Sequence, residues 1–560
     1  MKGIFLFICF GISTEYFVKW NGDNKTICHS MWPCRWDIAT RLFKRDDVIV
    51  VSDTLLKTKE QLKTFQNMTK YVLESGGKIA SISRTKINGK EFDQSELDFF
   101  LEIAPLNESM LYGFDFVDFI HPVISVRGIE VFYIVNCTFS NNHVYYDYPI
   151  ISFCNITVIM ENVSIDNNTV EGTSILGLST SIVGFYNGTI RNNKQLSKGI
   201  SPLIEFTNAA SEISNSVIEN NMAPGSSLFG SWFLFILFLT NSTVQNNYCN
   251  KSALIVGDSV ANLTLTNSTI FKNKAALIHS MAMSNVNLTN SNLLSNEAGN
   301  QSIIFAPKSI INFLNDSFIN NTGSSILSTQ LTNETSLTID STVLRNNTLF
   351  DIGFALYNSY SKIINTSLIS NICKSTFLYL KSSNFSISKS IFYGNKVIGD
   401  GNIIDVINGS LSVNDSIFQE NFGNETGAIK IDIDKDFNND YHFKNTSFYN
   451  NDGKIVKSIY FSDVIPSSIF EYCNFGKNRF NEVNGNLNLN QIFHRCRFNQ
   501  NLIKSNVSNS NRQKSSYNLK PNLPFIALTL ICCIFIFTIG IIILIYFYHE
   551  TNFDSELKIS

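Results

Sequence analysis

Apolar and polar positions alternate along this chain in short runs, each broken after a few residues by Asn, Ser or Asp. Alternate residues of a strand share a face, so such runs predict strands with one buried face. One four-residue pattern, an apolar residue, two variable ones and then Asn, returns throughout residues 139–501. It reads Phe139–Asn142, Ile165–Asn168, Ile190–Asn193, Ile218–Asn221, Val244–Asn247 and Ile270–Asn273. It continues as Leu293–Asn296, Phe318–Asn321, Val343–Asn346, Leu368–Asn371, Phe392–Asn395 and Phe418–Asn421, and closes with Phe448–Asn451, Phe475–Asn478 and Phe498–Asn501. The last Asn of the pattern recurs at intervals of about 23 to about 30 residues, averaging near 26. A period of that length suits one rung of a parallel β-helix, three short strands joined by three turns. Leucine-rich repeats share the length but need a Leu spacing that is absent, and helical repeats need longer periods.

The phase of the strands follows from the same pattern. The apolar residue and the one two before it point inward together, and that earlier position is mostly small: Cys137, Gly188, Ser216, Ser242, Ser268, Ser390, Cys473 and Cys496. The Asn three residues on falls at the turn. Stacked at about 4.8 Å, such amides bond to one another and to turn backbone, a structural asparagine ladder. Fifteen rungs give a rod of about 70 Å whose open ends need caps. Residues 47–130 repeat poorly and hold a more helical stretch, Leu55 to Glu74, so residues 18–130 are expected to form an N-terminal cap and irregular first rungs, with the regular repeats at 131–501. The apolar run Trp232 to Leu239 is too short to span a membrane. A buried strand pair is the expectation there, with an exposed adhesive patch as the other reading.

Two segments stand outside this grammar. Residues 1–17 combine Lys2 with the apolar run Gly3–Ile12 and polar Ser13, Thr14 and Glu15, the layout of a cleaved signal peptide. Residues 525–548 are apolar without a charge, and at 1.5 Å per residue this run reaches about 36 Å, enough for one transmembrane helix. A polar stalk at 502–524 and a cytoplasmic tail at 549–560 flank it. The expected topology is single-pass type I in the plasma membrane, with the ectodomain outside. Flanking charge opposes it, since Arg512, Lys514 and Lys520 lie on the outer side and Glu550, Asp554 and Glu556 in the tail.

An outer location makes sequons and cysteines informative. About 25 Asn-x-Ser/Thr sequons occur, roughly twice what the Asn, Ser and Thr content would scatter by chance. Asn136, Asn162, Asn187, Asn241, Asn267, Asn315, Asn365 and Asn445 each precede the apolar position by three and are expected to point outward on the same strand of successive rungs. Glycans at rung spacing would collide, so partial occupancy is expected; the other reading makes these sequons by-products of the repeat. Of 11 cysteines, Cys9 falls in the signal and Cys532 and Cys533 in the membrane run. Cys473 and Cys496 share a phase in consecutive rungs and are a disulfide candidate, as are Cys28 and Cys34.

Composition removes several function classes. The formal charge of -3 gives no attraction to nucleic acid or anionic lipid. No CxxC occurs and the 7 histidines are scattered, which disfavours a zinc site, and nothing calls for a cofactor. Catalysis on polysaccharide would need paired carboxylates, or a carboxylate and a base, in one groove. Asp432, Asp434 and Asp436 in IDIDKD alternate on one face, but a solvated polar face is the expectation, and no catalytic residue is assigned.

The FxxN copies, as in Phe139–Asn142, Phe318–Asn321 and Phe448–Asn451, resemble the repeats of polymorphic outer membrane proteins. The companion GGA motif survives only at Gly427–Ala428–Ile429, and one apolar run stands where the bacterial proteins have a C-terminal barrel, which brings the chain closer to surface proteins of parasitic protists. The resemblance covers residues 130–501. It implies an all-β, right-handed parallel β-helix of pectin-lyase-like type, and a surface adhesin or coat antigen that binds host-cell, matrix or carbohydrate ligands. A membrane-tethered polysaccharide lyase or hydrolase is the alternative.

Overall fold

The computed structural model describes residues 15–498 except 24–27, 29–32, 45–46, 92–98, 146–147, 197–200, 232, 234, 258–260, 281–283, 330–334, 433–439, 462–467, 477–482, 485–492. These residues belong to one compact unit, a parallel β-helix. The rung at Thr157–Ser179 shows the plan: a long strand Thr157–Glu161, a middle strand Ser164–Asp166, a short strand Thr169–Val170 and a return strand Leu176–Ser179. Each pairs in register and in parallel with its counterparts one rung away, so Ile165 lies between Phe139 and Ile190. Fifteen middle strands occur among the described residues, from Thr138–Ser140 to Arg497–Phe498. The rung thus has four strands where three were expected, because a sharp bend splits one face into the long and middle strands.

That bend has a physical cause. The residue between the two strands has positive φ, as in Asn162 (53°), Asn187 (53°) and Asn267 (50°). So does the residue after the middle strand, as in Asn167 and Asn192. This left-handed region costs most L-residues roughly 1–2 kcal/mol and Asn least. The doubled asparagines of the repeat therefore divide the labour: the first turns the corner and the second enters the ladder.

The second asparagines are buried, and thirteen of them, from Asn142 to Asn451, form an unbroken chain. Asn168 shows the pattern. Its Nδ2 donates to Asn193 Oδ1 (3.0 Å) and to the Phe139 carbonyl (2.8 Å), while its Oδ1 accepts from the Asn142 backbone N–H (3.0 Å) and Asn142 Nδ2 (2.8 Å). Both amide protons and both lone pairs are used, so the buried amide is fully satisfied. The ladder holds Asn142, Asn168, Asn193, Asn221, Asn247, Asn273, Asn296 and Asn321, then Asn371, Asn395, Asn421 and Asn451 as expected. One position is corrected: Asn346 is not in it. Asn321 Nδ2 donates to Asn347 Oδ1 (3.1 Å), while Asn346 turns the corner at φ 54°. Val343 and Leu344 both begin an apolar-x-x-Asn run, but Leu344 is the one in register with Phe318 and fully buried. Asn478 and Asn501 lie outside the described residues.

The small inward position builds a second internal ladder. Backbone N–H groups of Ser216, Ser242 and Ser268 donate to the hydroxyls of Ser242, Ser268 and Ser291, each at 3.2 Å. The chain of hydroxyls resumes at Thr342, Thr366, Ser390 and Ser416. Between the two runs stands a carboxylate, Asp316, which takes N–H bonds from Ser291 (2.7 Å) and Leu314 (2.8 Å). Burial pushes its pKa up to about 7, against the opposing pull of those two N–H donors.

Inside, apolar residues of successive rungs stack. Phe392, Phe418, Phe448, Phe475 and Phe498 form a column with ring centroids 4.5 to 5.2 Å apart. The run 232–239 is not a buried strand pair. Phe235–Thr240 is a single long strand with Phe235, Leu237 and Leu239 inward, while Phe238 and Phe233 are 39% and 56% exposed.

At the N-terminal end, strands Glu15–Asp23, Val48–Val51, Lys78–Asn88 and Ser109–Val117 continue the parallel sheet. Residues 15–17 of the expected signal therefore pair with Val48–Val50. Helices α1 (Trp36–Leu42) and α2 (Lys59–Glu74) pack beside them. The helix begins at Lys59 because Thr58 and Gln61 form a capping box; Leu55–Leu56, expected to be helical, instead pairs with Lys86–Ile87. Leu62, Phe65, Thr69 and Val72, at helical spacing, are buried, and Phe65 meets Trp36, Phe100 and Phe114 at 5.4 to 6.4 Å.

Cys28 and Cys34 are bonded, with Cα atoms 4.9 Å apart. Cys473 and Cys496 are not; both are free thiols, donating to the Phe443 and Phe470 carbonyls. One-rung spacing, about 4.8 Å between strands, would allow a bridge, but each sulfur lies against a backbone carbonyl of the preceding rung instead. Among the described residues no helix is long and apolar enough to cross a membrane. The expected span at 525–548, the stalk, the tail and most of the signal lie outside them.

Candidate functional site on the long-strand face

On the long strands Ser336–Asp340, Tyr360–Ile364, Asn384–Ser388 and Ser410–Asn414 the first, third and fifth residues face outward. In-register pairing turns these positions into columns along the helix axis. One column runs Ser336, Tyr360, Asn384, Ser410, and its neighbour runs Thr338, Lys362, Ser386, Ser412, His442. With Asp440 at the last rung they line a groove of about 440 Å³, floored by Ser361, Phe385 and Leu411. Tyr360 is 73% exposed and stands at its wall beside Lys362. The groove thus combines one exposed aromatic ring, one ammonium, an imidazole, a carboxylate and rows of hydroxyls and amides. Such a lining hydrogen-bonds a hydroxyl-rich ligand and stacks on its apolar faces.

A larger cleft of about 520 Å³ lies between α1 and α2. Its charged groups, Asp37 and Arg41, pair with each other at 3.8 Å, and Trp36, Met68 and Tyr71 line it together with the polar Thr40, Thr64 and Asn67.

The return strands carry a second polar constellation. Tyr379, Asp405, Lys430 and Tyr460 succeed one another outward in register. Lys430 Nζ bridges Glu425 (2.6 Å) and Asp432 (3.2 Å). Asp405 accepts from Asn402 Nδ2 (2.7 Å) and from the Thr376 hydroxyl. Burial raises the Asp405 pKa, with the Thr376 and Asn402 bonds and Lys430 opposing. Asp432 faces outward at the end of its strand, paired to Lys430; Asp434 and Asp436 lie outside the described residues.

The sequon asparagines fall on corners rather than on a strand. Asn136, Asn162, Asn187, Asn241, Asn267, Asn315, Asn365 and Asn445 all have positive φ, and all but the half-buried Asn136 are exposed. Their column bonds to itself on the outside: Asn267 Nδ2 donates to Asn241 Oδ1 (3.2 Å) and Asn315 Nδ2 to Asn290 Oδ1 (2.7 Å). The groove and the Asp405–Lys430 constellation were not found from sequence. Writing the rungs beneath one another and reading the outward columns would have brought both together.

No family model matches the chain, and no curated protein matches it. Solved structures do. PfbA, a surface adhesin of Streptococcus pneumoniae, is 12% identical over 74% of this chain and 93% of its own, with a TM-score of 0.26. A tailspike protein of E. coli bacteriophage HK620 is 10% identical over 70% and 74%, at 0.25. A PL6 alginate lyase bound to a trisaccharide is 10% identical over 81% and 86%, at 0.22. At these TM-scores the likenesses carry no weight for function.

Proposed function

We propose that this is a membrane-anchored surface protein, an adhesin or coat antigen, whose long-strand face binds an extended, hydroxyl-rich ligand on host cells or matrix. The groove from Ser336 to His442 carries this reading, because it sets polar side chains outward at every rung beside one exposed ring. The N-terminal apolar run ahead of the first described strand, the run at 525–548, the outward sequons and the FxxN resemblance support the type I topology and the surface location. The test is retention of cells displaying the full chain on surfaces coated with host matrix or glycans. Tyr360→Ala and Lys362→Ala should each lower the affinity about tenfold, the loss expected when one anchoring side chain worth about 1.4 kcal/mol is removed. Absence of binding in every format removes the reading.

A second reading rests on Asp405, whose raised pKa beside Lys430 and Tyr379 suits a proton donor on a glycan. Reducing-sugar release by the full chain, lost on Asp405→Asn and Asp432→Asn, would favour the hydrolase or lyase over the adhesin.

A further inference from the structure

The corner between long and middle strands is one column of outward side chains, and its sequence is not uniform. Going up the helix, the sequons come as a run of three (Asn136, Asn162, Asn187), then a gap, then a run of two (Asn241, Asn267). Three isolated ones follow, Asn315, Asn365 and Asn445. The intervening corners fail as sequons for particular reasons. Asn215 is followed two residues later by Val217 and Asn290 by Asn292, while the other corners are Ser341, Lys389 and Asp415. In-register pairing of the middle strands holds neighbouring corners one rung apart, about 4.8 Å. The acceptor amides of adjacent sequons are close enough to touch, as Asn267 and Asn241 do.

We infer that this edge is an N-glycosylated ridge whose occupancy is set by rung counting: sequons with a non-sequon corner on either side are filled, and directly adjacent ones exclude one another. The inference rests on the surface reading above, since it requires passage through a secretory pathway. In the reaction an acceptor amide Nδ2 bonds the anomeric carbon of an oligosaccharide carried on a lipid diphosphate; the amide gives up one proton and the lipid diphosphate departs with the bonding pair. Two facts favour addition here. The sequon corners other than half-buried Asn136 are exposed, and the hydroxyl residue two positions on, such as Thr243, Thr269 or Ser317, lies outward on the middle strand. Crowding supplies the exclusion, because a branched glycan core is wider than one rung. A glycan two rungs away, at about 9.6 Å, has room.

The full chain, made in a eukaryotic host, is digested with a glutamate-specific protease, which leaves Asn241 and Asn267 on one peptide between Glu219 and Glu297. Glycopeptide mass spectrometry should show Asn315, Asn365 and Asn445 nearly filled and Asn241 and Asn267 never filled together. Thr243→Val removes one sequon while keeping its corner Asn, and Val217 already holds the equivalent position in the rung below. Asn267 occupancy should then rise about twofold, toward that of Asn315. Peptides doubly filled at Asn241 and Asn267 overturn the counting rule while leaving the surface reading intact. A chain with no glycan even at Asn315, Asn365 and Asn445 overturns the rule and the secretory route together.

Discussion

A ladder asparagine answers for four other groups at once. Removing the Asn321 side chain strips a partner from Asn296 N–H, Asn296 Nδ2, the Leu293 carbonyl and Asn347 Oδ1. Unmet buried groups cost about 1–3 kcal/mol each, so Asn321→Ala should destabilise by about 3 kcal/mol or more in urea unfolding. Corners behave oppositely. Lys389 is exposed and holds φ 51°, so Lys389→Asn should stabilise by roughly 0.5–1 kcal/mol in the same measurement. Asp316 adds a pH dependence. Its folded pKa, about 7, lies above the ordinary carboxylate value, so the folded state holds the proton more tightly than the unfolded one. The native state therefore loses stability relative to the unfolded chain as pH rises from about 4 to about 7, with the loss complete above that window. Asp316→Thr restores the hydroxyl of the column and should melt higher than the parent at pH 8, with the gap closing toward pH 4. Sequence reading identified the ladder because its spacing is regular, and among the described residues it slipped only at Val343–Asn346, where two overlapping patterns fit and register and burial decide.

Among the elements, the middle strand was the most legible, since its apolar centre and following Asn repeat with little change. The long strand was not, because its outward positions vary freely from Tyr360 to Lys362 to His442, and that freedom is what lets them line a groove. The same independence from the repeat hid the return-strand pair of Asp405 and Lys430, which are consecutive in space but 25 residues apart in register. Helix α2 was seen approximately, from apolar spacing, while its true start depends on the Thr58–Gln61 capping box. Phe65 holds that helix to the first turns. Phe65→Ala should cost about 3–5 kcal/mol, as large aromatic truncations in a core do. In a stack of nearest-neighbour contacts the damage should stay local. Hydrogen exchange should quicken at residues 48–88 and remain unchanged at 368–451.

For the whole molecule the rung is a removable unit. Asn347 and Asn371 are equivalent ladder positions 24 residues apart. Deleting residues 347–370 joins corner Asn346 to ladder Asn371, and the shortened protein should keep its circular dichroism and melt within a few degrees of the parent. Deleting 347–358 instead leaves half a rung and should abolish cooperative melting. The full-rung deletion also removes Tyr360 and Lys362, so the proposed ligand binding should vanish while the fold persists. The apolar runs at 3–12 and 525–548 lie outside the described residues, and their proposed roles as signal and membrane span are tested by membrane fractionation. The ladder also poses a counting problem. Every rung offers its neighbours nearly the same amide, so a chain slipped by one whole turn would satisfy most of its bonds. Nothing inside the repeat says which turn is first. Among the described residues, only the cap, with its two helices and its Cys28–Cys34 link, is unlike the rest. It precedes the rungs in the chain and leaves the ribosome before them, and so marks zero before there is anything to count.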